Sequence, residues 1–325
     1  MEIARSNREF SAVAVLVDTE PLGNILPTSF AKWGVGVVQV RSDSGADPCR
    51  TAALIARHHP LGVIAGRASG VPLAAALAGR LGLPGVPVPP PLPRAAFPRA
   101  PHRSDEREYT VETVSCAGRH VVVAVRRHRT RRQGPFTVPD RTSLAAPGHG
   151  PVSALIARTR DTLDALGITH GPARTCLVLT SRGPQPVSAL PLLGDVLPGY
   201  DDLCLGTNLA DLTALAHARP EEFLDRWAGA DYSPLCEADV LVTGVEPHGT
   251  ADRLGQDVID AIESLPSVYC FDPGTRPGTA VRTAAGRRAC TGVIHTLHRS
   301  RRQLALDRLR IRRLTRPQEK ASCPG

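Results

Sequence analysis

Residues 12–83 alternate short apolar runs with helix-length segments, and this alternation restricts the fold more than any other feature of the chain. AVAVLVD (12–18), VGVVQV (35–40) and LGVIAG (61–66) are near-continuous apolar runs, the pattern of strands buried on both faces of a parallel sheet. Between and after them lie Ile25 to Trp33, ended by Gly34, then Asp47 to His59, then the Ala- and Leu-rich Val71 to Leu81, closed by Gly82. Each reads as a helix. Strands linked through helices require right-handed crossovers, so this segment is expected to form a Rossmann-like, doubly wound parallel sheet.

The pattern then changes twice. GVPVPPPLPRAAFPRAPHR (85–103) carries seven prolines, which exclude a helix or a central strand and read as an extended connector. From Glu108 the chain turns antiparallel. EYTVETVSCAGRHVVVAV (108–125) alternates on either side of Ala117-Gly118 and reads as a hairpin, followed by RRHRTRRQGP as a basic loop. Val152 to Leu166 is a helix stopped by Gly167; Arg174 to Leu179 and Pro186 to Leu192 are strands around a turn at Arg182-Gly183. Helices at Asn208 to Ala218 and Leu254 to Leu265, a strand at 238–245 and a final basic helix from about Arg301 to Arg310 complete the reading. The expected fold class is therefore α/β plus α+β: a parallel domain at 1–84, a Pro/Arg-rich linker at 85–107 and an antiparallel core at 108–325.

A formal charge of +8 raises the question of nucleic acid, but the basic clusters, Arg126 to Arg132 and Arg299 to Arg316, are not interleaved with stacking aromatics. They read as a basic loop and a solvated helix face, so no nucleic-acid partner is expected. No apolar run approaches the ~20 residues that span a bilayer, so no membrane segment is expected. MEIARSNREF has no hydrophobic signal core, and a cytoplasmic location is the expectation. Eight scattered cysteines without a C-x-x-C pair read as buried free thiols rather than a zinc site.

Few constellations carry chemistry. GRASG (66–70), after a strand and before a helix, is glycine-flanked and so suited to an anion or to a simple tight turn, but it lacks the GxGxxG, GK[ST] and GxSxG patterns. Ser69 has no evident His and acid partners. Asp195, Asp201 and Asp202 read as exposed turn carboxylates. Among His149, His170, His248, His295 and His298 only the last two have i, i+3 spacing, and no third donor for a metal is evident.

Taken together, VIAGRASGVPLAAALAGRLGLPG (63–85), the 108–125 hairpin, LDALGITHGPARTCLVLTSRGP (163–184), CLGTNLADLTALA (204–216) and Leu265-Pro266-Ser267 resemble, in collinear order, the peptide-forming carboxylate–amine ligases of the ATP-grasp superfamily. The resemblance implies a Rossmann-like pre-ATP-grasp domain and an ATP-grasp core. It also implies ATP between two subdomains, lid lysines on the phosphates and Mg²⁺ held by acids on two core strands.

The places that would carry that chemistry are altered. The family's loop glutamate is Ala68 and its helix aspartate Ala75. The two acid places are Cys176 and Ser188, and the arginine place is Leu192. A thiol is too soft for Mg²⁺ and a serine hydroxyl brings no charge. The lid is reduced to the 22 residues from Val86 to Arg107, without a lysine. These departures imply a degenerate ATP-grasp protein with no catalytic or metal-binding residue at the family's places, no cofactor, and an accessory or binding role in peptide-like metabolism. Its partners would be an intact ATP-grasp ligase, a second copy, or a small carboxylate or amino acid. The alternative is an active ATP- and Mg²⁺-dependent ligase completed by a partner or by atypical ligands.

Overall fold

The structure, a computed structural model, describes residues 10–19, 24–44, 47–84, 107–133, 136–148, 150–194, 197–243, 254–273, 280–283, 286–289 and 292–315. The proline-rich connector at 85–106 lies outside them. The chain divides into two compact units, residues 1–125 with 145–233, and residues 126–144 with 234–325.

In the first unit, β1 (Val13–Val17), β2 (Gly36–Val40) and β3 (Pro60–Ala65) form a parallel sheet in the order β2-β1-β3. α1 (Ile25–Ala31), α2 (Pro48–Ala56) and α3 (Val71–Leu81) follow the strands in turn. The boundaries have local causes. Asp47 caps α2 through its side chain on the Cys49 amide, with Pro48 at the first helical position. α3 begins with a proline in its first turn and ends on Gly82, whose φ of 63° is a left-handed cap that a side chain would strain. β1 is buried at every position, as its unbroken apolar run requires.

The same unit holds an antiparallel sheet. β4 (Arg107–Cys116) pairs with β7 (Gly171–Thr180), which pairs with β8 (Gly183–Leu190); the first seven residues of β5 (Arg119–Gln133) complete it. Val114, Cys116, Val121 and Val123 pack on α6 (Leu209–Ala218) and Phe223 of α7 (Pro220–Trp227). Tyr109, Val111 and Leu177 pack on α4 (Val152–Ala165). His217 joins the parallel and antiparallel sheets. Its Nδ1 donates to the Thr213 carbonyl at 2.8 Å, and its ring fills the space over Gly62 of β3 and beside Gly171 of β7. A Cβ on Gly62 would lie 2.1 Å from the His217 ring, so only glycine fits there.

In the second unit, β5 continues to Gln133 and turns back into β6 (Phe136–Leu144). Then follow β9 (Glu237–Thr243), β13 (Gly292–His298) and β10 (Val268–Pro273), in the order β5-β6-β9-β13-β10. β11 (Ala280–Thr283) and β12 (Gly286–Ala289) form a separate ribbon. α8 (Gln256–Glu263) and α9 (Arg301–Leu314) cover one face through Leu241, Ile262, Phe271, Ile294 and Ile311.

The basic loop expected at 126–135 is therefore strand to Gln133, and β6 is an additional strand. Arg131 of this run and the arginines of β6 and α9 around it meet buried or half-buried acids. Asp239, 3% exposed, takes Arg308 at 2.8 Å and Arg141 at 3.5 Å, and accepts from Ser143. Asp140 takes Arg312 at 2.6 Å and Arg131 at 3.8 Å. The basic C-terminal helix is likewise only partly a solvated face, because Arg308 reaches inward. Of the six described cysteines, all free, Cys116 and Cys204 are buried, but Cys49 is exposed and the others are half-buried. The expectation of buried thiols fails for those four. α5 (Pro198–Leu205) and α7 are two short helices not foreseen from periodicity.

Candidate functional site

The strand register brings the two expected acid places together. Cys176 on β7 is the direct cross-strand partner of Ser188 on β8 and, on its other side, of Thr110 on β4. Thr110, Cys176 and Ser188 thus form one row on one face of the antiparallel sheet. The Thr110 hydroxyl and the Cys176 thiol are 3.9 Å apart. Cys176 and Ser188 are half-buried. This is the spacing at which two carboxylates on neighbouring strands would share a divalent ion; a thiol and a hydroxyl offer it no charge.

Leu192, two residues past the end of β8, lies away from this row. It is 6% exposed and belongs to the buried cluster of Val15, Ala65, Val71 and Leu77. Its segment lies along β3: Ala65 and Leu192 form a parallel bridge, and the Leu193 amide donates to the Ala65 carbonyl at 3.0 Å. The residue at the expected arginine place is part of the hydrophobic core beside the parallel sheet.

Sequence reading overlooked the neighbouring strand. Glu108 and Glu112 flank Thr110 on the same face of β4, opposite Val178 and Arg174. Glu112 is 5% exposed. The period-2 alternation of EYTVE already placed both glutamates on one face; only the pairing of β4 with β7 shows which face.

The GRASG loop is committed to a carboxylate of the protein itself. At the end of β1, Asp18 adopts φ 54° and is 8% exposed. It accepts from the Ser42 amide at 2.8 Å, the Ser42 hydroxyl at 2.6 Å and the Ser69 hydroxyl at 2.9 Å. Burial alone would raise the Asp18 carboxyl, but these donors outweigh it and hold it below the usual carboxylate range. Gly66 and Gly70 let the loop close on β1, since a Cβ on Gly66 would lie 2.7 Å from the Asp18 carbonyl. Ser69 is thus tied to Asp18, and among the described residues no His joins the pair to make a nucleophile.

The other expected residues are dispersed. Asp201 is not an exposed turn residue: it lies in α5 and is 5% exposed. Asp202 accepts from Asn208 at 2.8 Å. His295 and His298 lie on a strand, where i, i+3 residues face opposite ways. Accordingly His295 meets the Cys270 thiol at 3.5 Å, and His298 meets the Ser300 amide. His170 accepts from the Ala117 amide at 3.2 Å. Asp195, His149 and His248 lie outside the described residues. No group of three or more His, Cys, Asp or Glu suited to a metal ion occurs among the described residues. The side chains at the family's acid and arginine places do not fit Mg²⁺ with a nucleotide: one is a soft thiol, one is neutral and one is apolar and packed.

A small recess of about 50 Å³ opens beside β5 and is lined by Val121, Leu205, Thr207, Leu212, Trp227 and Asp231, among others. The Trp227 indole N–H is buried with no acceptor among the described residues.

Neither a protein-family model nor a curated protein sequence matches the chain. Solved structures do match it over nearly its whole length. An L-amino acid ligase from Bacillus licheniformis aligns at a TM-score of 0.66 and 17% identity, covering 93% of this chain and 96% of the ligase. Phosphoribosylglycinamide synthetase from Anaerococcus prevotii aligns at 0.61 and 9% identity, covering 92% and 97%. N5-carboxyaminoimidazole ribonucleotide synthetase from Thermus thermophilus aligns at 0.57 and 13%, covering 94% and 100%. These neighbours are ATP-grasp ligases. A small parallel sheet followed by a larger antiparallel one, in that chain order and over that extent, gives this chain the ATP-grasp fold.

Proposed function

We propose that this ATP-grasp-fold chain does not activate a carboxylate with ATP by itself, and that it works as a binding or accessory protein beside an intact ATP-grasp ligase. The observation that carries this reading is the arrangement at the family's three catalytic places. Cys176 and Ser188 face each other across the strands without charge, and Leu192 is packed in the core. Phosphoryl transfer depends on cations that neutralise the γ-phosphate as it leaves, and a divalent ion needs anionic oxygen ligands to stay in place. A thiol, a hydroxyl and an isobutyl group supply neither.

The binding half of the proposal rests on the retained fold, since the recess beside β5 holds only about 50 Å³ and is too small for an amino acid without rearrangement. Trp227 lines that recess and so reports on it. Titrating amino acids while following Trp227 fluorescence, with Trp33 replaced by Phe, reads this directly.

The catalytic half is tested by ADP release with Mg²⁺, ATP and a panel of amino acids. Release at the blank rate is expected. Saturable, amino-acid-dependent release by the isolated chain would falsify the proposal. One observation favours the alternative of a ligase with atypical ligands: Glu108 and Glu112 stand on the same sheet face as Cys176 and Ser188. Under that alternative Glu112→Gln abolishes the ADP release; under the favoured reading there is none to abolish.

A further inference from the structure

We infer that the outer faces of α8 and α9 form a self-complementary surface through which two copies of this chain associate about a two-fold axis.

Charge in this protein is unevenly divided. The second unit holds 20 Lys and Arg against 11 Asp and Glu, whereas the first holds 19 against 20. Within the second unit the two helices that share one buried cluster carry opposite signs outward. On α9, Leu304, Asp307 and Ile311 point inward and are buried. Positions 302, 306, 309, 310 and 313 fall on the opposite side of a 3.6-residue turn. There Leu306 is 43% and Leu309 53% exposed, and Arg302, Arg310 and Arg313 are exposed around them. On α8, Ile262 is buried, and Asp257, Asp260 and Glu263 are all exposed on the other side.

Arg310 pairs with Asp307 at 3.2 Å and Asp260 accepts from Gln256, but most of these charges have no ionic partner among the described residues. Arg302, Arg313, Asp257 and Glu263 form no ion pair with any described residue. By contrast the arginines turned toward the sheet, such as Arg308, do have carboxylate partners. A basic, leucine-bearing helix beside an acidic one fits a second copy rotated by 180°. α9 of each copy then lies on α8 of the other, and every contact occurs twice. Leu306 and Leu309 become the dry centre, with arginine–carboxylate pairs at the rim.

Scale limits the strength. α9 (14 residues) is about 21 Å long and α8 (8 residues) about 12 Å, each about 10 Å wide, giving roughly 330 Å² per copy. That is well below the roughly 800 Å² per partner of a standard interface, so a weak dimer with a Kd on the order of 100 µM is expected. Because its rim is exposed charge, the dimer weakens at least tenfold between about 50 mM and 500 mM NaCl.

Sedimentation equilibrium of the full chain, up to roughly 300 µM, tests this. Association at low salt, loss at high salt and loss in both Arg302→Glu/Arg313→Glu and Asp260→Arg/Glu263→Arg are expected. Mixing those two variants restores association, because each then offers the sign the other needs. A monomer at the highest concentration, a dimer indifferent to both reversals, or a mixture that stays monomeric overturns the inference. Circular dichroism checks that each variant is folded. If a reversal variant is not folded, Leu306→Gln/Leu309→Gln takes its place and is expected to weaken the dimer at least tenfold.

Discussion

Replacing Leu192 probes the proposal that an expected arginine place is filled by core packing. Leu192 is 6% exposed among Val15, Ala65, Val71 and Leu77. Truncation to alanine loses the transfer energy of the buried side chain and leaves a cavity against β3, together about 3 kcal/mol. Leu192→Arg, which would restore the family's residue, costs as much or more, because the guanidinium enters an apolar cluster with no carboxylate in it. At roughly 2–4 °C per kcal/mol, the midpoint of thermal unfolding should fall by about 6–12 °C in either variant. Calorimetry and urea titration of the two variants read this directly. If both melt within about 2 °C of the parent, Leu192 is not packed as core and the argument for a dismantled arginine place fails. Should Leu192→Arg instead melt normally and gain Mg²⁺-dependent ADP release, the site is one residue from activity and the proposed function is wrong.

Further outcomes follow from other parts of the structure. Cys176→Glu with Ser188→Glu places two carboxylates directly opposite each other, so a double-mutant cycle in metal-free buffer should show about 0.5–1 kcal/mol of unfavourable coupling; zero coupling contradicts the strand register. Asp239→Ala leaves Arg141 and Arg308 without their shared carboxylate and is expected to cost about 3–5 kcal/mol by urea unfolding, a loss below 1 kcal/mol speaking against the buried pair. Burial, helped by the charge of Arg126, pushes His295 down to about 4. Folding therefore favours its neutral form, and its contribution of at most about 3 kcal/mol is present above pH 6.5 and lost as pH falls from there toward 4. His295→Gln should flatten that part of the stability–pH curve, and an unchanged slope refutes the assignment. Gly62→Ala drives a methyl into His217 and should cost about 1–3 kcal/mol, largely recovered in Gly62→Ala/His217→Ala; a destabilised double variant would place the strain elsewhere.

How far the sequence foretold this depends on where the neutralising or packing partner lies. α3 was legible to the residue, because Pro72 and Gly82 mark its ends and Ala and Leu fill it. The pairing of Cys176 with Ser188 was not legible from the turn, because the register shifts by one residue between Leu177 and Cys176. Nor was β5 beyond Val125 legible. An Arg-rich run shows no apolar alternation, and its strand form follows from pairing with β6, whose Asp140 meets Arg131 at 3.8 Å. The loss of chemistry at Leu192 was read from residue type alone. That its place lies in the core rather than at an empty site came only from the Ala65–Leu192 bridge, which joins segments far apart in the chain.

Under the proposed function, the residues at the three expected catalytic places share a thermodynamic direction. Two carboxylates opposite each other on adjacent strands repel unless a cation lies between them, and a guanidinium beside an apolar cluster is costly unless a phosphate or an acid receives it. A thiol, a hydroxyl and a leucine remove each of those costs while keeping the register and filling the core. Drift without selection for folding has no reason to choose residues that suit their surroundings at all three places. A chain kept for its shape and surface does have that reason, because catalytic sites are commonly maintained at the expense of stability. On this view the variants restoring the acids and the arginine should each be less stable than the parent. Their summed loss would measure the stability that the proposed loss of the site brings.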